Sequence, residues 1–188
     1  MLVTPGFVLR ASSINLEFID TLPPVDDGEF KCTLALDEVV DPMNLGALLR
    51  SAHFLGCDKV VVCTKNSSPL SPTVCKASAG ALEFIDISAT KNMMKFLDKS
   101  KANGWQVVGT ALSDNSIDMK ELDLTKPTIL VLGNEGHGVR TNILTRCDAL
   151  VRINGSGSVG IGSIVDSLNV SVSGAILLHY ILNNNKIE

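Results

Sequence analysis

Six short runs rich in Val, Ile and Leu follow one another between residues 32 and 153: 32–40, 59–63, 82–88, 105–112, 128–133 and 149–153. The runs are nearly continuous rather than alternating, and a strand apolar on both sides must be covered on both faces. Between them lie stretches with helical spacing, which predict helices over 42–55, 71–79, 91–103, 140–147 and 168–183. The alternation predicts an α/β fold, a mostly parallel sheet with helices on both faces. With 45% hydrophobic residues, 188 residues can fill the core of one compact domain. Residues 1–29 carry Pro5, Pro23, Pro24 and the turn "DDGE" without a clear period. They read as a lead-in segment or linker ahead of a domain at 30–188.

Charge and cysteine usage narrow the partners. The net charge is −4 and no block of five like charges occurs, so bulk charge does not advertise a nucleic acid. Any RNA contact must be local or assisted. Cys32, Cys57, Cys63, Cys75 and Cys147 form no C-x-x-C pair and fall mostly in apolar segments, as small core residues in a reducing compartment would. No metal site and no disulfide framework are expected. The longest apolar stretch, "GAILLHYIL", is far shorter than the ~20 residues of a membrane helix, and the start carries no signal-peptide pattern. A soluble chain with no membrane partner is expected.

Two helices carry distinct information. The first has Asp41 as N-cap, Pro42 at its first position and Gly56 where a left-handed terminator belongs. Leu45, Leu48, Leu49, Ala52 and Leu55 form one stripe for the sheet. Arg50 lies off that stripe, and Gly46 and Ala47 one turn before it are expected to leave the surface beneath it open. In the last helix, Leu168, Val170, Val172, Ile176, Leu177 and Ile181 surround the axis. A helix apolar nearly all round is buried on more than one side, which points to a subunit interface.

The stretch "LVLGNEGHGV", residues 130–139, places three glycines and a glutamate after a buried run. The order G-x-x-G-x-G departs from the dinucleotide fingerprint, and no P-loop pattern occurs. Glu135 would repel phosphate, so the loop is either a structural turn or a backbone cradle for a neutral or cationic ligand. No G-x-S-x-G elbow is present, and His53, His137 and His179 sit in unrelated contexts. What remains is a polar set at strand ends and helix starts: Asn44, Arg50, Asn134, Glu135, Ser167 and Asn169.

Three segments together carry a family resemblance. "DPMNLGALLRSAHFLG" (41–56), "LVLGNEGHGV" (130–139) and "DSLNVSVSGAILL" (166–178) resemble the ordered motifs of the SpoU-type (TrmH-like) RNA ribose methyltransferases of the SPOUT superfamily, over roughly residues 33–182. "NSSPLSPTVCKASAGALE" (66–83) is similar to the branch that methylates guanosine ribose in large-subunit rRNA, mitochondrial members included.

The resemblance implies a C-terminal trefoil knot, S-adenosylmethionine (SAM) bound bent within it, and a homodimer formed through the knot and the C-terminal helix. It implies transfer of methyl to a ribose 2′-hydroxyl of rRNA, with a tRNA substrate or a non-catalytic RNA-binding assembly factor as alternatives. Cofactor contacts then fall at Thr110, Gly133, Ile153 and Leu168, with no metal. Arg50 falls at the reacting hydroxyl, supported by Asn44, Glu135, Ser167 and Asn169, either as base or as holder of the adjacent phosphate. The implied address is mitochondrial, otherwise cytoplasmic. Two departures stand out. Asn154 replaces a usual proline, and "NGSGSVGIGSIVD" lengthens the loop before S-L-N. The RNA-binding domain that often precedes this catalytic domain is not recognisable, and "TPGFVLRAS" resembles the linker between the two.

Overall fold

The computed structural model describes residues 14–26, 28–155 and 167–185. Among them, eight strands pair in parallel throughout, in the order β1-β4-β3-β2-β7-β5-β8-β6. They are β1 (Glu17–Phe18), β2 (Cys32–Leu36), β3 (Lys59–Cys63), β4 (Ile87–Thr90), β5 (Gln106–Thr110), β6 (Ile117–Asp118), β7 (Thr128–Leu132) and β8 (Ala149–Arg152). The helices are α1 (Pro42–Leu55), α2 (Pro72–Ala77), α3 (Met93–Ala102), α4 (Thr141–Leu144) and α5 (Val170–Asn183).

Side-chain alternation along the strands divides the core in two. Leu34, Leu36, Val60, Val62, Leu130 and Leu132 face Leu45, Leu48 and Leu49 of α1 and Leu177, Leu178 and Ile181 of α5. Ala35, Val61, Val107, Ile129 and Val131 face Phe96 and Leu97 of α3 and Ile143 of α4. The expected two-sided α/β arrangement is what the chain adopts.

The first helix forms as its caps dictate. Asp41 accepts from the Met43 amide at 2.8 Å, Pro42 occupies the first turn, and Gly56 closes the helix at φ 84° with its amide on the carbonyls of Ala52 and His53. Both neighbouring helices approach α1 through glycine. A Cβ on Gly46 would lie 2.4 Å from Ala77 Cβ and 2.8 Å from the Val74 carbonyl oxygen of α2. On Gly174 of α5 it would lie 2.4 Å from Leu48 Cδ2. The open surface expected at Gly46 is therefore occupied by α2, and the glycine serves close helix contact.

Elsewhere the boundaries differ for identifiable reasons. The run 32–40 stops as a strand at Leu36, because Glu38 takes a left-handed conformation (φ 62°) that turns the chain toward α1. The run 82–88 opens as a 3₁₀ turn (Ala81–Glu83), with Leu82 and Ile85 buried at helical spacing, and becomes β4 only at Ile87. The predicted helix 140–147 contracts to α4, and 168–183 begins at Val170 behind the cap Asn169. The short edge strand β6 has too little apolar length to be read beforehand.

The stretch assigned to a lead-in or linker is part of the fold in its described portion. Glu17–Phe18 adds β1 to the sheet edge, Leu22 is buried with its amide on Ser100 Oγ at 3.0 Å, and Trp105 Nε1 donates to the Pro23 carbonyl at 2.7 Å. Prolines masked this attachment, since they break any period.

Gly46→Ala should lower stability by about 1–3 kcal/mol, because the added methyl meets α2 backbone that cannot rotate away. Gly174→Ala should cost less, since its methyl meets movable leucine ends. Denaturant unfolding of both variants tests the ordering.

Candidate active site

The sheet grows from β2 outward through β3 and β4, then restarts on the other side with β5, and β7 fills the gap between β2 and β5. Crevices at the carboxyl ends of strands beside such a reversal are where open parallel sheets bind ligands. A pocket of about 670 Å³ opens there, within the range of small-molecule sites. It is lined by the ends of β5, β7 and β8, the loops that follow them, and the start of α5. A smaller hollow of about 270 Å³ at the amino ends of the strands carries the Lys101–Asp148 ion pair, 2.7 Å apart, which already satisfies both charges.

The loop after β7 folds on itself. Asn134 and Gly138 exchange backbone hydrogen bonds of 3.0 and 2.9 Å, and Asn134 Oδ1 accepts from the amides of Gly136 and His137. A Cβ on Gly133 would lie 2.3 Å from Gly138 C and O and from Val139 N, so only glycine lets the two limbs meet. Gly138 is left-handed at φ 71°. The whole loop, Gly133 to Val139, lines the pocket.

Glu135 is directed at the start of α1. Its carboxylate accepts from the amides of Val40 (3.4 Å) and Asp41 (3.1 Å) and from Asn44 Nδ2 (3.3 Å). Asn44 Oδ1 in turn accepts from Asn169 Nδ2 at 3.1 Å, and Asn169 caps α5 by accepting from the Ser171 amide at 2.8 Å. A single chain of hydrogen bonds thus joins the three sequence motifs. Partial burial pushes the Glu135 pKa up, but the bonds from its own amide, Asp41, Asn44 and Val40 outweigh it and hold the carboxyl below its ordinary value. A carboxylate is also favoured at a helix N-terminus.

A second clamp joins the same two segments. Arg140, just past the loop, makes a bidentate pair with the wholly buried Asp37 at the end of β2 (Nε to Oδ2 2.8 Å, Nη2 to Oδ1 2.6 Å). Its Nη1 also lies 3.2 Å from Glu38 Oε1, and Asn134 Nδ2 donates to the Glu38 carbonyl at 3.1 Å. The hydrogen bond to Asp37 raises the Arg140 pKa against the opposing effect of desolvation. Sequence reasoning missed this pair, because the partners stand 103 residues apart with no local signal.

Of the expected cofactor contacts, Thr110, Gly133, Ile153 and Leu168 all line the one pocket, together with Glu135 and Ser167. Thr110 Oγ1 lies 3.4 Å from the Val131 carbonyl, to which it donates. Lining residues not anticipated include Leu132, His137, Arg152 and Leu177. Arg50 stands apart. It is exposed on α1, six residues beyond Asn44 and hence about 9 Å further along the axis, and it does not line the pocket of its own chain. Among the described residues its side chain has no hydrogen bond or ion pair. Asn154 bridges Arg152 Nε (3.0 Å) and Asp118, while most of the long glycine and serine loop, 156–166, lies outside the described residues.

Arg140→Met should destabilise the fold by about 3–5 kcal/mol by leaving Asp37 buried and unpaired, while Asp37→Asn/Arg140→Met should recover part of that loss; denaturant unfolding reads both. Glu135→Gln should cost about 1 kcal/mol at neutral pH. Because the folded carboxyl titrates below its unfolded value, its contribution is full above the ordinary glutamate range and fades as pH falls through the lower folded value. The difference between wild type and E135Q should therefore shrink on acidification, as unfolding midpoints across pH would register.

The SpoU rRNA Methylase family matches residues 31–179. The mitochondrial rRNA methyltransferase 1 of Dictyostelium discoideum is 40% identical over 168 residues, covering 87% of this chain and 31% of that protein. The 23S rRNA (guanosine-2′-O-)-methyltransferase RlmB of Pseudomonas syringae pv. tomato is 42% identical over 145 residues, covering 77% of this chain and 55% of that protein. The chain thus spans between a third and little more than half of these relatives. Among solved structures, the AdoMet-bound rRNA methyltransferase from Sinorhizobium meliloti superposes with a TM-score of 0.74 at 30% identity, covering 86% of this chain and 58% of that one. The match over residues 31–179, which include the glycine loop and the capped first helix, identifies the chain as a member of the SpoU rRNA Methylase family.

Proposed function

We propose that this chain transfers a methyl group from SAM to the 2′-hydroxyl of a guanosine in mitochondrial large-subunit rRNA. The observation that carries the reading is the pocket at the β7 loop, beside which the three motifs are joined through Glu135, Asn44 and Asn169. Its lining suits SAM, which has no phosphate: backbone of the glycine loop, apolar Leu132, Val151, Ile153 and Leu177, and a carboxylate at the rim. Gly133, Leu168, Ile153 and Thr110, which all line the pocket, would hold the cofactor. When bound, SAM supplies a methyl group on a sulfonium leaving group.

The chain's residues then have to place the ribose oxygen in line with that methyl and manage the hydroxyl proton. Arg50 is the group for the ribose and its phosphate. An arginine keeps its charge at ordinary pH, so it orients the adjacent phosphate and favours negative charge on the attacking oxygen rather than accepting the proton, which would pass to water as the oxygen takes the methyl and the thioether leaves. Asn44, Ser167 and Asn169 support the substrate side of the pocket.

The same reading includes a homodimer and a C-terminal knot. The packing of α5 against α1 and against β7 supports this reading. Met43 and Phe54, exposed on the α1 stripe that holds Arg50, and Val172 on α5 offer an apolar face to a second copy. That copy would bring Arg50 to a pocket it does not reach in its own chain.

Incubation with methyl-labelled SAM and large-subunit rRNA should give a labelled nucleotide that resists alkaline cleavage on its 3′ side; label on a base would sink the ribose assignment. Arg50→Ala should lower transfer about 100-fold or more while calorimetry finds SAM affinity nearly unchanged.

A further inference from the structure

The described cations are unevenly neutralised. Lys31, Lys59, Lys101 and Arg146, near the amino ends of strands, are each paired with an acid, and Lys95 and Lys99 of α3 share Asp20. Among the described residues Lys76, Lys120, Lys126, Arg50 and Arg152 have no ion pair either, but at the carboxyl ends of β3 and β4 two such lysines follow adjoining strands. Lys65 and Lys91 are exposed there and, among the described residues, have no acidic partner. The two strand ends adjoin, since Cys63 is level with Thr90 and the Thr64 amide donates to the Thr90 carbonyl at 3.0 Å. The acids closest to this corner are engaged elsewhere, Glu38 with Arg140 and Asp20 with the α3 lysines. Glu17 is level with Ser88, further down the edge strand.

The corner also carries an aromatic ring. Phe18 of β1, level with Ala89, is 55% exposed, and Lys91 Nζ sits 5.1 Å from its centroid. A cation beside an exposed ring is the combination that single-stranded nucleic acid uses, phosphate on the charge and base on the ring. Strand spacing places β3 and β4 about 10 and 14 Å from β7, on the same sheet end as the pocket.

We propose that Lys65, Lys91 and Phe18 form a track for the RNA backbone adjoining the pocket, with the two ammonium groups on phosphates flanking the target nucleotide. This rests on the RNA-methylating reading above and adds where the strand runs. It also gives an acidic chain a local basic contact for an RNA substrate.

The test uses the full chain and a fluorescein-labelled single-stranded oligoribonucleotide, read by anisotropy across salt concentrations. Lys65→Ala/Lys91→Ala should weaken binding about tenfold at low salt and flatten the log–log salt slope by about 1.4, the value for two phosphates on a single strand. Lys126→Glu is the control: it makes the same net charge change at an exposed site by the amino end of β7, and it should leave binding within twofold. Phe18→Ala should weaken binding without changing the slope. Equal losses in the double variant and in K126E, or no loss in either, overturn the track. Calorimetry with SAM separates the two readings: SAM binding without RNA binding by the wild type overturns the track alone, and failure to bind either overturns the function as well.

Discussion

The parallel pairing of β2 with β7 sets Leu36 level with Leu132 and so brings two chain turns to one place. One turn leads from β2 into α1, and the other is the glycine loop. Each stabilises its neighbour through the opposite charge: Glu135 reaches from the loop to the amides at the start of α1, and Arg140 reaches from the loop's end to Asp37 at the end of β2. A buried carboxylate such as Asp37 is costly to desolvate and is tolerated only when fully paired. Here the pair holds two loops in fixed register across strands far apart in sequence. Glu38, left-handed between them, marks the strain that this junction accepts.

The pocket follows from that junction. Because Glu135 hydrogen-bonds the start of α1, its carboxyl pKa is held below its ordinary value at the edge of the cavity. Because Gly133 and Gly138 let the loop close on itself, it packs compactly beside the cavity. Asn44 then carries the restraint on to Asn169 and the start of α5. A site assembled this way selects by shape and amide pattern, which suits a ligand with no phosphate.

Much of this was legible in the residues. Continuous Val/Ile/Leu runs named the central strands, and Asp41, Pro42 and Gly56 bounded α1 to the residue, since caps are local and chemically specific. The glycine loop stands out for the same reason, and its Glu135 turns to the start of α1. What could not be read was non-local. Nothing in "LALDEVV" announces that Asp37 meets Arg140, and Gly46 reads as open space until α2 is known to lie on it. Residues 14–26 failed the periodic test because they attach by isolated contacts, through Leu22, Pro23 and a two-residue strand, rather than by a repeating face.

The position of Arg50 follows from the same helix geometry. Asn44 and Arg50 are six residues apart, so a helix with 3.6 residues per turn cannot present both to one ligand. Asn44 is turned inward to Glu135, and Arg50 shares its outward stripe with Met43, Ala47 and Phe54. Phe54 is 86% exposed, a poor placement for a phenylalanine unless something covers it. The inward face of α1 thus holds the glycine loop, and the outward face leaves Met43, Arg50 and Phe54 open to another molecule. If that molecule is a second copy, the arginine and the pocket it serves belong to different chains. A monomer would then retain the cofactor cradle and lack the group that positions the ribose, which makes association a condition of transfer and leaves cofactor binding independent of it.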